Sequence, residues 1–198
     1  MKILIATGNL NKVREIKALL TALDIEVLTL KDFPSLVMPE ETGKTFKENA
    51  ILKAKSACAQ SGLITLADDS GLEVDALGGA PGVYSARYAG ENCSYTDNNK
   101  KLLTALKNIP SQDRGAQFTC VMAICFPSGK IITEAGIMRG EIVKSLHGTN
   151  GFGYDPLFKP KGFSETFAEL TSGKKNSISH RFLAIEKITP HLKNISAA

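Results

Sequence analysis

"MKILIATGNLNKVREIKALLTALDIEVLTL", residues 1–30, changes periodicity twice, and those changes set the fold class. "MKILIAT" (1–7) is a short continuous apolar run, the pattern of a buried strand. From Asn9 onward Val13, Ile16, Leu19, Leu20 and Leu23 recur at helical spacing, which predicts a helix over 9–23 after a tight turn at Gly8. "IEVLTL" (25–30) then reads as a second strand. Strand, helix and strand in succession point to an α/β sheet.

Residues 31–44 hold Pro34, Pro39 and Gly43 and read as a long loop. Thr45 and Glu48 form a T-x-x-E capping box that opens a helix through about Ser61, with Phe46, Ala50, Ala54, Ala57 and Cys58 as its inner stripe and Gly62 as its stop. "LITLA" (63–67) is a further strand, and the Gly- and Ser-rich chain from there to Gly90 is expected to be irregular or short-stranded. "SYTDNNKKLLTALKNI" (94–109) reads as a helix stopped by Pro110. "AQFTCVMAICF" (116–126) and "KIITEAGIMRG" (130–140) flank Pro127, Ser128 and Gly129 as an antiparallel hairpin, so the sheet is mixed. After the Gly-rich "HGTNGFGYDPLF" (147–158), the segment "NSISHRFLAIEKITPHL" (176–192) predicts a helix with Ile178, Phe182, Ile185 and Ile188 as its stripe. The expectation is a single α/β domain over 1–198, a mixed sheet with flanking helices, without repeats or linkers.

Composition narrows the function classes. The chain has 198 residues, 43% hydrophobic and 22% charged, enough for one sizeable core. No stretch approaches the roughly 20 apolar residues of a membrane span, and "KILIAT" carries no signal-peptide pattern, so a cytoplasmic protein without a membrane partner is expected. Cys58, Cys93, Cys120 and Cys125 contain no C-x-x-C pair, and His147, His180 and His191 are scattered, which argues against a thiolate zinc site and for reduced thiols. The net charge of +4 comes from dispersed lysines rather than a basic block, a balance that suits a small anionic ligand as well as nucleic acid.

Two stretches carry chemistry. In "ATGNLNK" (6–12) Gly8 lets a ligand approach the backbone, the N–H groups of the following helix favour an anion, and Lys12 adds a full positive charge. The alternative is structural: Gly8 makes the turn, Asn9 caps the helix, and Lys12 is solvated. In "ITLADDSGLEVDALGG" (64–79) the adjacent Asp68 and Asp69 are both charged at neutral pH and repel one another unless a cation lies beside them. They share one site only if the strand ends there, which Ser70 and Gly71 permit. Mg²⁺ is the economical cation, since it takes a few carboxylates together with waters and phosphate oxygens, and Glu40 and Glu41 in the long loop are available as further ligands. Turn capping or pairing with lysines is the competing reading.

The ordered set "ATGNxxK", "PEETG", "TFKENAILKA", "ADDSGLEVDALGGAPGVYSARYAG", "GFGYDPLF", "AEL" and "KNSISHR" resembles the inosine triphosphate pyrophosphatase family in its bacterial form, from about Ala6 to Arg181. The resemblance implies a mixed, twisted sheet with two lobes around a deep nucleotide cleft, a homodimer and dependence on Mg²⁺. It also implies hydrolysis of purine nucleoside triphosphates with deaminated bases (ITP, dITP, XTP) to the monophosphate and pyrophosphate, with no stable nucleic-acid partner. By the same resemblance Thr7, Gly8, Asn9, Leu10, Asn11 and Lys12 hold the triphosphate, Glu40 and Asp69 bind the metal, and Asp69 accepts a proton from the attacking water. Ser70 touches substrate, Lys53 and Lys175 bind phosphate, and Phe152, Gly153, Tyr154, Asp155, His180 and Arg181 enclose the purine. Two other functions fit the residues: a Mg²⁺-dependent pyrophosphohydrolase of other modified nucleotides, and a non-catalytic nucleotide- or RNA-binding module.

Overall fold

The computed structural model describes residues 1–21, 23 and 25–196; Ala22, within the predicted helix 9–23, and the last two residues of the expected domain lie outside the described residues. Its elements are β1 (Lys2–Ile5), α1 (Leu10–Leu20), β2 (Glu26–Thr29), α2 (Phe46–Ser61), β3 (Ile64–Val74), α3 (Tyr95–Ala105), β4 (Gly115–Cys125), β5 (Ile131–Ile142), β6 (Phe158–Pro160), α4 (Ser172–Asn176) and α5 (His180–Ser196). Among the described residues the strands form one six-stranded sheet in the order β2-β1-β3-β4-β5-β6. The β1 strand pairs parallel with β2 and with β3, while β5 and β6 are antiparallel, so the sheet is mixed as expected. At the β4–β5 hairpin the Phe126 N–H donates to the Lys130 carbonyl at 2.9 Å.

The chain divides into two compact units, the first comprising Met1–Asp69, Cys120–Gly136 and Arg181–Ala198, the second Ser70–Thr119 and Ile137–His180. In the first unit the alternation of the strands sorts side chains by face. Ile3, Ile5, Leu66, Cys120, Met122 and Ile124 pack with Ile16 and Leu20 of α1 and with Ala184, Ile185, Ile188 and Leu192 of α5. Each buried Leu or Ile contributes roughly 1.5–3 kcal/mol, so this layer anchors both helices. The opposite face receives α2, whose Ala50, Ala54 and Ala57 are fully buried and small enough for a close approach.

Thr45 opens α2 by accepting from the Glu48 N–H at 3.1 Å, as the sequence predicted, but the reciprocal arm differs: Glu48 accepts from the Lys44 N–H at 2.6 Å, one residue further out. Gly62 ends the helix in the left-handed region at φ 68°. In the second unit Leu72, Val74, Leu102, Leu106, Ala116, Ile142 and Leu157 surround a ring cluster of Phe118, Phe158 and Phe167.

Three expectations need correction. The strand from residue 64 does not stop at the aspartates; β3 continues through Ser70 and Gly71 to Val74, because Leu72 and Val74 are themselves buried and the Leu72 N–H is met by Ser85 Oγ at 2.9 Å. The helix expected over 176–192 starts later, as α5 from His180, with Ile178 outside it after the short α4; Ile185 and Ile188 of the expected stripe are buried, together with Ala184 and Leu192. Strand β6 falls within a stretch read as loop and its sequel, too short to show a period.

Candidate active site

Because β3 runs on, Asp68 and Asp69 face opposite ways and take different partners. Asp68, fully buried, lies on the face covered by α1 and α5. Its Oδ2 is 3.0 Å from Lys12 Nζ and 3.2 Å from Arg181 Nη2. Burial alone pushes a carboxyl pKa up, but the charges of Lys12, Arg181 and Lys53 outweigh it and hold Asp68 well below the usual carboxylate range. Arg181 is itself 1% exposed and also pairs with Glu15. Its burial is likewise overcome by the Asp68 and Glu15 charges, which raise its pKa.

Asp69 faces α2. Its Oδ1 lies 3.2 Å from Lys53 Nζ, and Asn49 Nδ2 donates to its Oδ2 at 3.2 Å. Lys53 Nζ also lies 2.6 Å from Glu41 Oε1, so two carboxylates converge on one buried ammonium. Burial is the largest influence on Asp69 and raises its pKa, only partly offset by Lys53 and Lys12. Burial works to lower the pKa of Lys53, but Asp69, Asp68 and Glu41 together raise it. The Glu41 loop is tied to this point: the Gly43 N–H donates to Asn49 Oδ1 at 2.7 Å, and a side chain at Gly43 would run into that amide.

The turn before α1 has the cap that the structural alternative offered, although Lys12 is paired with Asp68 rather than solvated. Asn9 caps the helix, its Oδ1 accepting from the N–H groups of Asn11 at 3.0 Å and Lys12 at 3.3 Å, so those two donors are already satisfied. Thr7 is buried and its Oγ1 accepts from the Asn9 N–H at 3.3 Å. Gly8 is exposed with open space where a side chain would stand, and Leu10 is exposed. The positive charge here is the Lys12 ammonium.

In the second unit the FGYD segment splits by role. Tyr154 is a core residue: it is buried, and its hydroxyl donates to the Ser85 carbonyl at 2.9 Å. Asp155 is also buried; its Oδ2 accepts from the Phe152 N–H at 2.8 Å and from Lys175 Nζ at 2.6 Å. The Lys175 ammonium lies 4.8 Å from the Phe152 ring centroid and 5.7 Å from that of Phe167, an aromatic seat closed by one carboxylate. Phe152 is half-buried, with Tyr95 at 6.0 Å. The Gly153 carbonyl accepts from Asn99 Nδ2 at 3.0 Å, and Ser70 is half-buried. His180 is buried, stacked on Phe118 with centroids 4.7 Å apart and planes 11° apart.

The structure therefore brings Lys12 to Asp68 and Lys53 to Asp69, and Lys175 to Asp155 and Phe152. Glu40 is exposed, and its neighbour Glu41 makes the contact with Lys53. Glu15, Asn49 and Tyr95 escaped the sequence reading. Only Glu15 left a signal, three residues after Lys12 and so on the same helical face.

Among the described residues no group of three or more His, Cys, Asp or Glu side chains is arranged to hold a metal ion. The donor set nonetheless fits Mg²⁺, which takes one or two carboxylates plus substrate phosphates rather than a complete protein cage: Glu41 and Asp69 already share one cation. The cysteines are free, and burial pushes the Cys58 thiol up to about 11 and the Cys120 thiol up to about 12, so neither is a thiolate at neutral pH. No helix among the described residues is long and apolar enough to cross a membrane.

The model of the Ham1 family matches residues 3–191. The chain is 54% identical to a dITP/XTP pyrophosphatase of Elusimicrobium minutum, covering 98% of this chain and 100% of that protein. It is 51% identical to a dITP/XTP pyrophosphatase of Desulforamulus reducens, over 94% and 93% of the two chains. Among solved structures, a HAM1 protein from Coxiella burnetii superposes with a TM-score of 0.89 at 42% identity, over 98% and 99% of the two chains.

Proposed function

Since the chain belongs to the Ham1 family, as its near full-length match to the family model establishes, we propose that it hydrolyses dITP, XTP and ITP to the monophosphate and pyrophosphate. The observation that carries the reading is the convergence of Asp69 and Glu41 on the buried Lys53 ammonium, with Asn49 donating to the other oxygen of Asp69. A carboxylate whose pKa is raised by burial is a better proton acceptor than an ordinary aspartate, and Asp69 is fixed by a donor on each oxygen. In this reading Asp69 takes the proton of the water that attacks the α-phosphorus. Lys53 and Lys12 present ammonium groups to the phosphate oxygens as negative charge develops there.

Mg²⁺ would be held by Asp69 and Glu41, and when bound it supplies a Lewis acid for the phosphate oxygens. Lys175 is seated to hold a further charge, and Phe152, half-buried beside Tyr95, offers a face on which a base stacks. Arg181 pairs with Glu15 and with Asp68, the carboxylate that also holds Lys12.

The test is pyrophosphate release from dITP, XTP, ITP, GTP and ATP at catalytic enzyme concentration, with Mg²⁺ and with EDTA. Release from the first three, lost in EDTA, is expected. Equal release from GTP and ATP, or monophosphate formed without pyrophosphate, would overturn the reading. Tight binding of nucleotide without turnover would favour a sensing module instead.

A further inference from the structure

Lys12, Asp68, Arg181 and Glu15 form a chain of alternating charge within the first unit. Lys12 Nζ and Arg181 Nη2 sit on the same oxygen of Asp68, at 3.0 and 3.2 Å, and Arg181 Nη1 is held in turn by Glu15. The group is almost closed to solvent: side-chain exposure is 14% at Lys12, 13% at Glu15, 1% at Arg181 and zero at Asp68. Two cations and two anions leave it neutral.

From this geometry we infer that Glu15 is a positioning residue for phosphate binding, acting on Lys12 through Arg181 and Asp68. The inference rests on the proposed phosphate role of Lys12. Two cations compete for Asp68 Oδ2, and Glu15 decides how strongly one of them competes. With Glu15 charged, Arg181 is drawn to both carboxylates, and Asp68 keeps enough charge to fix the Lys12 ammonium. With Glu15 neutral, the guanidinium loses the carboxylate that holds its Nη1, and its planar fork suits a two-point grip on Asp68 that a point charge cannot match. Lys12 then loses its tether. Its flexible stem regains the rotamers that it must give up again when phosphate binds. Lys12 and Glu15 lie three residues apart on α1, so one helix carries both ends of the chain.

A double-mutant cycle tests this, with inorganic tripolyphosphate as the probe in calorimetry and dITP hydrolysis measured in parallel. Glu15→Gln is expected to weaken tripolyphosphate binding roughly tenfold in the wild-type background and less than about twofold in a Lys12→Ala background. In hydrolysis the same non-additivity is expected in kcat/KM. Melting temperatures are measured on all four proteins. If Glu15→Gln does not fold, Glu15→Asp, which keeps the charge but shortens the reach, takes its place with a smaller effect of the same pattern. A residue that only supports the fold gives factors that multiply across the cycle. Multiplying factors, or binding that is unchanged or tighter in Glu15→Gln, overturn the inference, as does wild-type protein that binds no tripolyphosphate. Binding that follows the cycle in a protein that hydrolyses no nucleotide leaves the inference standing and refutes the proposed function instead.

Discussion

Asp68 and Asp69 are neighbours on one strand yet are held by different lysines, Lys12 at 3.0 Å and Lys53 at 3.2 Å. The period of two along β3 sends one carboxylate toward α1 and α5 and the other toward α2. Their pKa values move in opposite directions as a result: two close cations depress that of Asp68, while burial raises that of Asp69. Two identical side chains thus acquire different tasks, one structural and one suited to proton transfer.

On the proposed function, Asp69→Asn removes the proton acceptor at nearly constant volume. Turnover should fall by ~10²–10⁴ or more, with the melting temperature close to that of the wild type. Steady-state pyrophosphate release beside thermal denaturation checks both halves; a variant that keeps most of its activity moves the role elsewhere.

Asp68→Asn should behave in the opposite way, as a stability variant first. Removing one member of a buried ion network leaves Lys12 and Arg181 without their shared anion, at a cost of about 3–5 kcal/mol. The folded pKa of Asp68 lies below its unfolded value, so its contribution is full above the usual carboxylate range of ~4 and is lost as pH falls through the folded value. Urea unfolding of both proteins at pH 7 and pH 3 should show a wide gap that narrows at the lower pH. A gap of constant width would contradict this account.

Glu41→Gln should raise the Mg²⁺ concentration for half-maximal activity more than Glu40→Gln does. Glu41 shares Lys53 with Asp69, whereas Glu40 is exposed. Hard cations select charged oxygen over amide oxygen, so the acid that faces the cation is the one whose loss registers. Mg²⁺ titrations of the two variants decide, and the reverse order would restore Glu40 as the ligand.

Within the FGYD segment, Phe152→Ala and Tyr154→Phe should separate binding from stability. Phe152 is half-buried, and its truncation should raise KM by a factor of ~5–100, the worth of one base–aromatic stack, with little change in melting temperature. Tyr154→Phe deletes only the hydroxyl bonded to the Ser85 carbonyl and should cost about 1 kcal/mol of stability without altering KM. A KM effect at Tyr154 alone would reverse the two assignments.

Arg181→Lys should lower stability while leaving the ratio of kcat/KM for ITP over ATP unchanged. A lysine cannot span Glu15 and Asp68 as the guanidinium fork does, and neither contact involves a base. A collapse of the ITP preference would return Arg181 to the purine.

What the sequence disclosed and what it hid follow from range. The βαβ opening, the Thr45 cap of α2, the Gly62 stop and the β4–β5 hairpin all rest on residues within a few positions of one another, and each is present. The course of β3 was hidden because two adjacent carboxylates ordinarily end a buried strand; partners from other elements, Lys12, Arg181, Lys53 and Asn49, make them tolerable there. That Glu41 rather than Glu40 reaches Lys53 was hidden for a similar reason. It depends on how the Gly43–Asn49 bond sets the loop, which no local pattern encodes. The glycines on either side of Phe152 already favour it over Tyr154 as the stacking ring, and burial separates the core tyrosine from the half-buried phenylalanine.

The segmentation of the two compact units has a consequence for inheritance. The chain passes from one unit to the other after Asp69, Thr119, Gly136 and His180, and the first three of these passages fall inside β3, β4 and β5. Recombination exchanges contiguous stretches of gene, so neither unit can be acquired or donated as a block. A chimera between two relatives would need a junction at every passage to swap one unit whole, and most junctions would splice foreign halves of a strand whose side chains alternate in register. The lineage of this architecture is therefore expected to diversify by point substitution and by loop-length change between strands, with both units ageing together.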